Sequence, residues 1–551
     1  MKLVSVDQMR RIETESDAAG HTYAAMMERA GAAVAAAIQL RVDMKGKSVL
    51  LLVGPGNNGG DGLVAARMLR EAGAEVLCYL FRDRPDDTLL TAVREQGCFI
   101  ATASDDNQFR TLRRFAKGAD VIVDALADAG TALPIEGDLA KILEIVRGEA
   151  KSRRELDEGT ELVEIPLIQT SPAAPATRAP LVVAIDGPTG LNYDTGALDP
   201  SVLPADLTVA FAYPKLGHFT FPGASACGQL VVADIGTPPK LADYVILEVA
   251  DIEMIRAMLP ARPSNAHKGT FGKAMIVAGS IYYSGAAALA AQAATRVGTG
   301  LVTLCPPCSI YSAVASKLTE VTYLPLPDDM GVLCKDAVQV LAERIEDYQA
   351  LLVGPGLSTK RETVAFVHRL LNIEPSTKKA GIESEPRRPA LPPLVVDADA
   401  LNALSEVASW AECLPCLSIL TPHPGEMARL MRAEDKSEIS SDRMGVARRM
   451  AAKWGHVVIL KGAFTVIAHP EGRAVVLPFA NPALATAGSG DVLAGAIVGL
   501  MAQGLKPFEA ATCGAFLHAM AGELARRDIG DAGVVADDLL VRLPTVIRQL
   551  R

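Results

Sequence analysis

No apolar stretch in this sequence reaches the roughly 18 residues that a membrane-spanning helix needs. The opening segment, Met1 to Arg10, also lacks the long apolar core of a secretory leader. Both absences lead us to expect a soluble, cytoplasmic protein. Positive charge is short as well: 54 Lys and Arg against 64 Asp and Glu leave a formal net charge of -10. An acidic surface repels nucleic-acid phosphates unless a basic patch compensates. No basic run with interleaved aromatics occurs, so neither nucleic acid nor membrane is expected as a partner. The nine cysteines are an odd number in a long chain and suit a reducing compartment better than a disulfide scaffold. Cys305/Cys308 and Cys413/Cys416 form two Cys-x-x-Cys pairs, too far apart in sequence for a compact zinc ribbon and flanked by apolar, strand-like residues. Buried, unpaired thiols are expected there. A G-x-x-x-x-G-K-[ST] run is missing too: Gly46-Lys47-Ser48 would need a glycine where Arg41 stands, which disfavours a P-loop nucleotidase.

What is present is core-forming sequence, 50% hydrophobic and 21% charged, in a chain of 551 residues that is too long for one core. Short aliphatic and β-branched runs alternate with Ala-rich amphipathic stretches from end to end, the pattern of an α/β protein with parallel sheets and crossover helices. In the first half the runs are 49–53, 76–81, 121–124, 181–186, 207–212 and 230–234; in the second they include 274–278, 301–304, 350–353, 394–397, 418–420, 457–460 and 464–468. The stretch Lys240 to Ala261 separates the two series, placing a boundary near residue 245 and domains at 1–240 and 250–551. Arg147 to Pro180 and Asn372 to Pro393 lack helical or strand period and read as surface insertions. Leu51 to Gly56 is echoed by Leu351 to Gly356, but the following residues differ, so two independent strand-to-turn exits are expected.

Ligands of open parallel sheets bind beyond the carboxyl ends of the strands, so the residues there carry most information. Gly54, Gly56 and Gly59 fit G-x-G-x-x-G ahead of a helix read as Leu63 to Glu71, a weak signal alone. Asn57, Asn58 and Asp61 within it add oxygens that could coordinate a hard cation or hold a ribose or carboxamide; a plain turn with surface amides is the alternative. Asp124 and Asp186 each follow four apolar residues, where an unpaired carboxylate is costly unless a cation or donors meet it.

In the second half, Gly488-Ser489-Gly490-Asp491 leads into the apolar run Val492 to Met501. Its backbone N–H groups would lie free at a helix N-terminus and could hold a developing phosphate charge. Asp491 could cap that helix or take a hydroxyl proton as the oxygen attacks phosphorus. The glycines, with Lys461 and Asn481 near in sequence, favour the base. His423, between two prolines after a strand, is placed for substrate contact.

These residues resemble those of the bifunctional NAD(P)H-hydrate repair enzymes, an epimerase domain fused to an ADP-dependent dehydratase domain. The resemblance covers nearly the whole chain. On the epimerase side it rests on Met27 to Gly31, Gly54 to Gly62, Val123 to Leu126, Asp186 to Leu191 and Tyr213 to His218. On the dehydratase side it rests on His267 to Gly272, Ser284 to Ala286, Val353 to Leu357, Asp397 to Asn402, Thr421 to Glu426, Lys461 to Ala463 and Gly488 to Gly495. It implies a Rossmann-like domain followed by a ribokinase-like one. It also implies a potassium ion on Asn58, Asp124 and Thr189, where the family usually has serine for Thr189. The hydrated nicotinamide would be held by Asn57, Asn58, Gly59, Gly60, Asp61 and Asp186, with Asp61 or Asp186 as acid-base group. Asp128 and Gly130 would contact substrate in a loop that departs from the family's usual Gly-Thr-Gly. In the dehydratase, the resemblance places the hydrate near Ala286, Gly356, His423 and Asp491. ADP with magnesium would lie along Lys461, Gly462, Ala463, Phe464, Thr465 and Gly490. The implied substrates are NADHX, NADPHX and ADP, and a homo-oligomer is expected. A vitamin or sugar kinase of the same fold is the main rival reading, and a non-catalytic binding role for the first domain the second.

Overall fold

Strands whose residues are apolar on both faces must be covered on both faces, and the parallel sheet with crossover helices is the arrangement that does so. A computed structural model describes residues 1–128, 130–158, 179–373 and 390–551. They divide into two compact units, Lys2–Val245 and Ile246–Arg551 together with Met1.

The first unit holds a wholly parallel sheet of β1 (Ser48–Val53), β2 (Glu75–Leu80), β3 (Phe99–Thr102), β4 (Val121–Ala125), β5 (Leu181–Ile185), β6 (Leu207–Phe211) and β7 (Gln229–Ala233). The order β3-β2-β1-β4-β5-β6-β7 reverses direction at β1/β4, the switch point of a Rossmann-like sheet. The edge strand β3 escapes sequence reading because it is only partly buried and carries a weak apolar pattern. The helix expected from Leu63 begins at Asn57 and runs to Glu71, so the glycine-rich segment is its first turn. The helix Gly137–Glu158 likewise extends into the segment read as a structureless insertion. Its charges obscure the buried stripe of Ile142, Leu143, Val146 and Ala150, which packs in the core at helical spacing. Most of that insertion, and most of the one at 372–393, lies outside the described residues.

The second unit is built on β8 (Leu247–Val249), β9 (Lys273–Val277), β10 (Leu301–Cys305), β11 (Thr322–Tyr323), β14 (Ala350–Val353), β15 (Leu394–Val396), β16 (Ile419–Leu420), β17 (Val457–Leu460), β18 (Val466–Ala468) and β19 (Ala474–Val476). A separate two-stranded ribbon is formed by β12 (Asp328–Asp329) and β13 (Val332–Leu333). The main sheet runs β11-β10-β9-β14-β15-β16-β17-β18-β19-β8, parallel as far as β17 and antiparallel across β18. The helix Ser489–Ala502 is buried from Val492 onward against the Ala-rich helix Ser284–Arg296. A Cβ at Gly495 would fall 2.1 Å from the Ala290 carbonyl oxygen, so only glycine permits this approach. The close packing holds the amino end of Ser489–Ala502 rigidly at the carboxyl edge of the sheet.

Candidate active sites

In the first unit, the carboxyl ends of β4 and β5 bring Asp124 and Thr189 together. Asp124 is 1% exposed; one carboxylate oxygen accepts the Thr189 hydroxyl at 2.7 Å and the other the Thr189 N–H at 2.8 Å. Burial still pushes its carboxyl above the usual range. The Asn58 amide donates to the carbonyls of Ala127 (2.7 Å) and Ile185 (3.2 Å), and Ala127 N–H returns to the Thr189 hydroxyl. Asn58, Asp124 and Thr189 are thus one linked cluster around the Ala127 peptide. No group of three His, Cys, Asp or Glu is placed to hold a metal ion among the described residues. The cluster instead offers one carboxylate with neutral oxygens, a donor set of the kind a hard cation takes.

A second cluster lies at the ends of β5 and β6. Asp186 has φ +60°, accepts the Phe211 N–H at 3.0 Å and forms an ion pair with Lys215, which is itself 1% exposed. A buried pair of this kind is costly to assemble, which makes a purely structural role a poor account of it. Asp61 stands nearby, and burial followed by the charges of Asp186, Asp128 and Glu13 raises its carboxyl well above the usual range. His218 accepts the Lys215 N–H and is held neutral, its imidazole lowered to about 4 by burial and then by Lys215. A carboxyl whose proton affinity is raised, beside an ion-paired one, is an acid-base arrangement. Glu13, Asp61 and Asn57 border a cavity of about 70 Å³ together with Met26, Met27 and Phe211.

Asp128 accepts the backbone N–H of Asn57 (3.1 Å) and Asn58 (2.7 Å), so the amino end of the helix Asn57–Glu71 is satisfied by the chain's own carboxylate. Gly56 makes room for it, since a Cβ there would lie 1.9 Å from an Asp128 oxygen. Gly59 and Gly60 are buried, facing the Gly54 carbonyl with Arg84 and the Met27 thioether respectively, while Gly130 faces Arg10. Sequence reading assigned no role to Lys215, Glu13 or Arg84, which donates to the Gly54 and Gly56 carbonyls. A lysine just beyond an apolar strand, in Tyr213-Pro214-Lys215, was the available signal for the first of these.

In the second unit, Lys461, following β17, donates to Asp397 at 2.9 Å and lies 3.8 Å from Glu426. Burial opposes its charge, but Asp397, Glu426 and Asp491 outweigh that and hold the ammonium above its ordinary value. Asp397 also accepts the Thr421 hydroxyl at 2.5 Å. Burial, then repulsion from Asp397, lifts Asp491 to about 7; burial lifts Glu426 to about 7 as well. Gly488, with φ +87°, turns the chain into the helix and supplies no side-chain cap. The N–H groups of Gly490 and Asp491 find no acceptor among the described residues. A Cβ at Gly490 would stand 3.7 Å from the Lys461 ammonium, so the bare glycine leaves free N–H groups and a cation facing one space. That is an anion seat with a near-neutral carboxyl at its side.

His423 caps the helix Pro424–Met431, its Nδ1 accepting the Gly425 N–H at 3.0 Å, with Nε2 3.5 Å from Glu426. Gly356 (φ +63°) and Ala286 adjoin each other, and the turn carrying Gly356 is tied to Asp399, which accepts the Ser358 N–H at 2.8 Å. Gly462, Ala463, Phe464 and Thr465 form a tight turn closed by the Thr465 hydroxyl on the Gly462 carbonyl at 2.8 Å. All nine cysteines are free, but Cys308 and Cys416 are exposed rather than buried, Cys308 lying just beyond β10 and Cys416 in the turn before β16.

Fold and sites together outline a two-unit α/β enzyme, with clustered, raised carboxyls in both units and an anion seat in the second. Comparison with known proteins finds matching families for both units. A family described as YjeF-related protein N-terminus matches residues 23–217, and one described as NAD(P)H-hydrate dehydratase matches residues 274–545. The bifunctional NAD(P)H-hydrate repair enzyme Nnr of Moorella thermoacetica is 38% identical over 95% of this chain and 92% of its own length; that of Thermofilum pendens is 34% identical over 100% and 97%. Among solved structures, the ADP/ATP-dependent NAD(P)H-hydrate dehydratase of Bacillus subtilis, co-crystallised with ATP/Mg2+, is 30% identical, covering 55% of this chain and 99% of its own at a TM-score of 0.46. The chain belongs to the family of bifunctional NAD(P)H-hydrate repair enzymes.

Proposed function

We infer that this chain repairs hydrated NADH and NADPH, interconverting the R and S hydrates in its first unit and dehydrating the S hydrate at the expense of ADP in its second. The observation that carries the reading is Asp491, a carboxyl of pKa about 7 beside Lys461 and the free N–H groups of Gly490 and Asp491. In the second unit, Asp491 takes the proton of the C6 hydroxyl as that oxygen attacks the terminal phosphorus of ADP, and AMP leaves. The phosphate ester so formed is a better leaving group than hydroxide. Loss of phosphate and of a C5 proton restores NAD(P)H. Lys461 and the backbone N–H groups hold the transferring phosphoryl group. Gly462 to Thr465 would shape the nucleotide side of the site, and Ala286, Gly356 and His423 the hydrate side. Asp397 and Glu426 are already engaged by Lys461 and Thr421, so magnesium would be held mainly by the ADP phosphates, whose charge it would neutralise.

In the first unit, Asp61 protonates the departing C6 hydroxyl while the ring nitrogen lone pair assists. Water then re-adds on the opposite face and returns the proton. Asp186, anchored by Lys215, orients that water or the carboxamide. A buried Asp124 whose hydrogen-bond partners include no cationic group fits a potassium ion shared with Asn58 and Thr189, which would organise the loop from Leu126 to Asp128. Mixed hydrate epimers supplied with ADP should be repaired completely, with AMP and phosphate as products. A stable phosphorylated product would favour the kinase reading. Repair stopping at half would deny the first unit its epimerase role.

A further inference from the structure

The rim beside the hydrate pocket of the second unit carries aromatic and cationic side chains that the dehydration chemistry does not use. Tyr283 and Ala286 both pack against Gly356; a Cβ on Gly356 would lie 2.8 Å from that of each. The neighbouring Tyr282 is 59% exposed, and the two rings are 6.4 Å apart at 58°. The Lys360 ammonium, following the same Gly356 turn, stands 5.6 Å from the Tyr282 ring centroid. Met330 is 87% exposed. Large side chains left in water beside a site need an account, and here an aromatic face, a flexible thioether and a point cation share one rim. A base stacks on such a ring, and a phosphate pairs with such an ammonium.

We propose that Tyr282 and Lys360 form a subsite for the adenosine-phosphate half of the dinucleotide, the ring stacking on adenine and the ammonium meeting phosphate. The proposal rests on the reading that a hydrated nicotinamide enters at Gly356 and Ala286. Its partner half must then leave the pocket across its rim, and this stretch of rim has the chemistry to receive it. A bare nicotinamide mononucleotide would not reach it.

The test compares binding of NADPH and of reduced nicotinamide mononucleotide to the full chain by calorimetry, alongside ADP-dependent dehydration of the two corresponding hydrates. Stacking and one phosphate contact predict that the dinucleotide binds about tenfold more tightly. The double variant Tyr282→Ala/Lys360→Ala should erase that preference without weakening the mononucleotide, and Tyr282→Phe should keep it. A preference that survives the double variant, or an equal loss for both ligands, overturns the subsite. So does a changed molar mass of the variant by light scattering, because the rim would then be an interface between copies. If the wild type shows the preference and the variant loses it, yet neither hydrate is dehydrated, the proposed activity fails while the subsite stands.

Discussion

The amino ends of two helices, Asn57–Glu71 in the first unit and Ser489–Ala502 in the second, each stand beside a candidate site and are used in opposite ways. The first is closed by Asp128, whose carboxylate accepts two of its N–H groups. The second follows a glycine with φ +87°, receives no side chain, and looks onto Lys461. A helix amino end attracts negative charge wherever it is found. Whether it binds a phosphate therefore depends on whether the chain supplies an anion of its own. The carboxyls beside the two ends are both raised by burial first: Asp61 well above the usual range, with the charges of Asp186, Asp128 and Glu13 adding to it, and Asp491 to about 7, where it can accept a proton.

The largest effects should come from removing those two carboxyls. Asp491→Asn is expected to lower ADP-dependent turnover by about 10³-fold, within the usual range for a general base, while epimer exchange followed by NMR continues. Retained turnover would show the open helix end to be a binding feature only. Asp61→Asn should slow epimer exchange by about 10²-fold and leave dehydration of pure S hydrate intact. The pH profiles should then diverge. Below pH 7 dehydration falls about tenfold per unit as Asp491 gains its proton, whereas exchange, which needs Asp61 protonated, is not lost as pH falls. Parallel profiles would break the comparison. For stability the sign is the reverse of a salt-bridged acid: a raised carboxyl makes the folded protein lose stability as pH rises from about 4 to about 7. Asp491→Asn should accordingly raise the melting temperature more at pH 8 than at pH 4.

Replacing potassium by lithium is expected to slow epimer exchange several-fold and leave dehydration unchanged; equal loss of both would place the cation elsewhere. The smallest effect concerns the closed helix end. Asp128→Ala removes two capping bonds and should cost about 1 kcal/mol in denaturant unfolding of the first unit. At the open end the Ser489 hydroxyl caps nothing and instead donates to the Leu484 and Thr486 carbonyls at 2.9 and 3.0 Å.

The α/β class and most strand positions were legible because both are written in local apolar runs. Strands β3, β8, β11, β12, β13 and β19 were not, since strands of two or three residues, and the half-exposed edge strand β3, carry little periodicity. The helix start at Asn57 was hidden for a different reason: its acceptor, Asp128, is 71 residues away in the sequence. Without that acceptor a glycine-rich stretch has no cause to become helical.

The sequence by itself determined where chemistry could occur. Turn glycines and polar residues after apolar runs are local features, and they marked Asn57 to Asp61, Asp124, Asp186, Lys461 and Gly488 to Asp491. Only the tertiary structure decided what state those groups are in. Lys215 reaches Asp186 across 29 residues, Lys461 reaches Asp397 across 64, and the Asp61 and Asp491 carboxyls are raised by burial and by neighbours far off in the chain. Desolvation and Coulomb interactions act through space, and distance in space is what the linear order of residues leaves open.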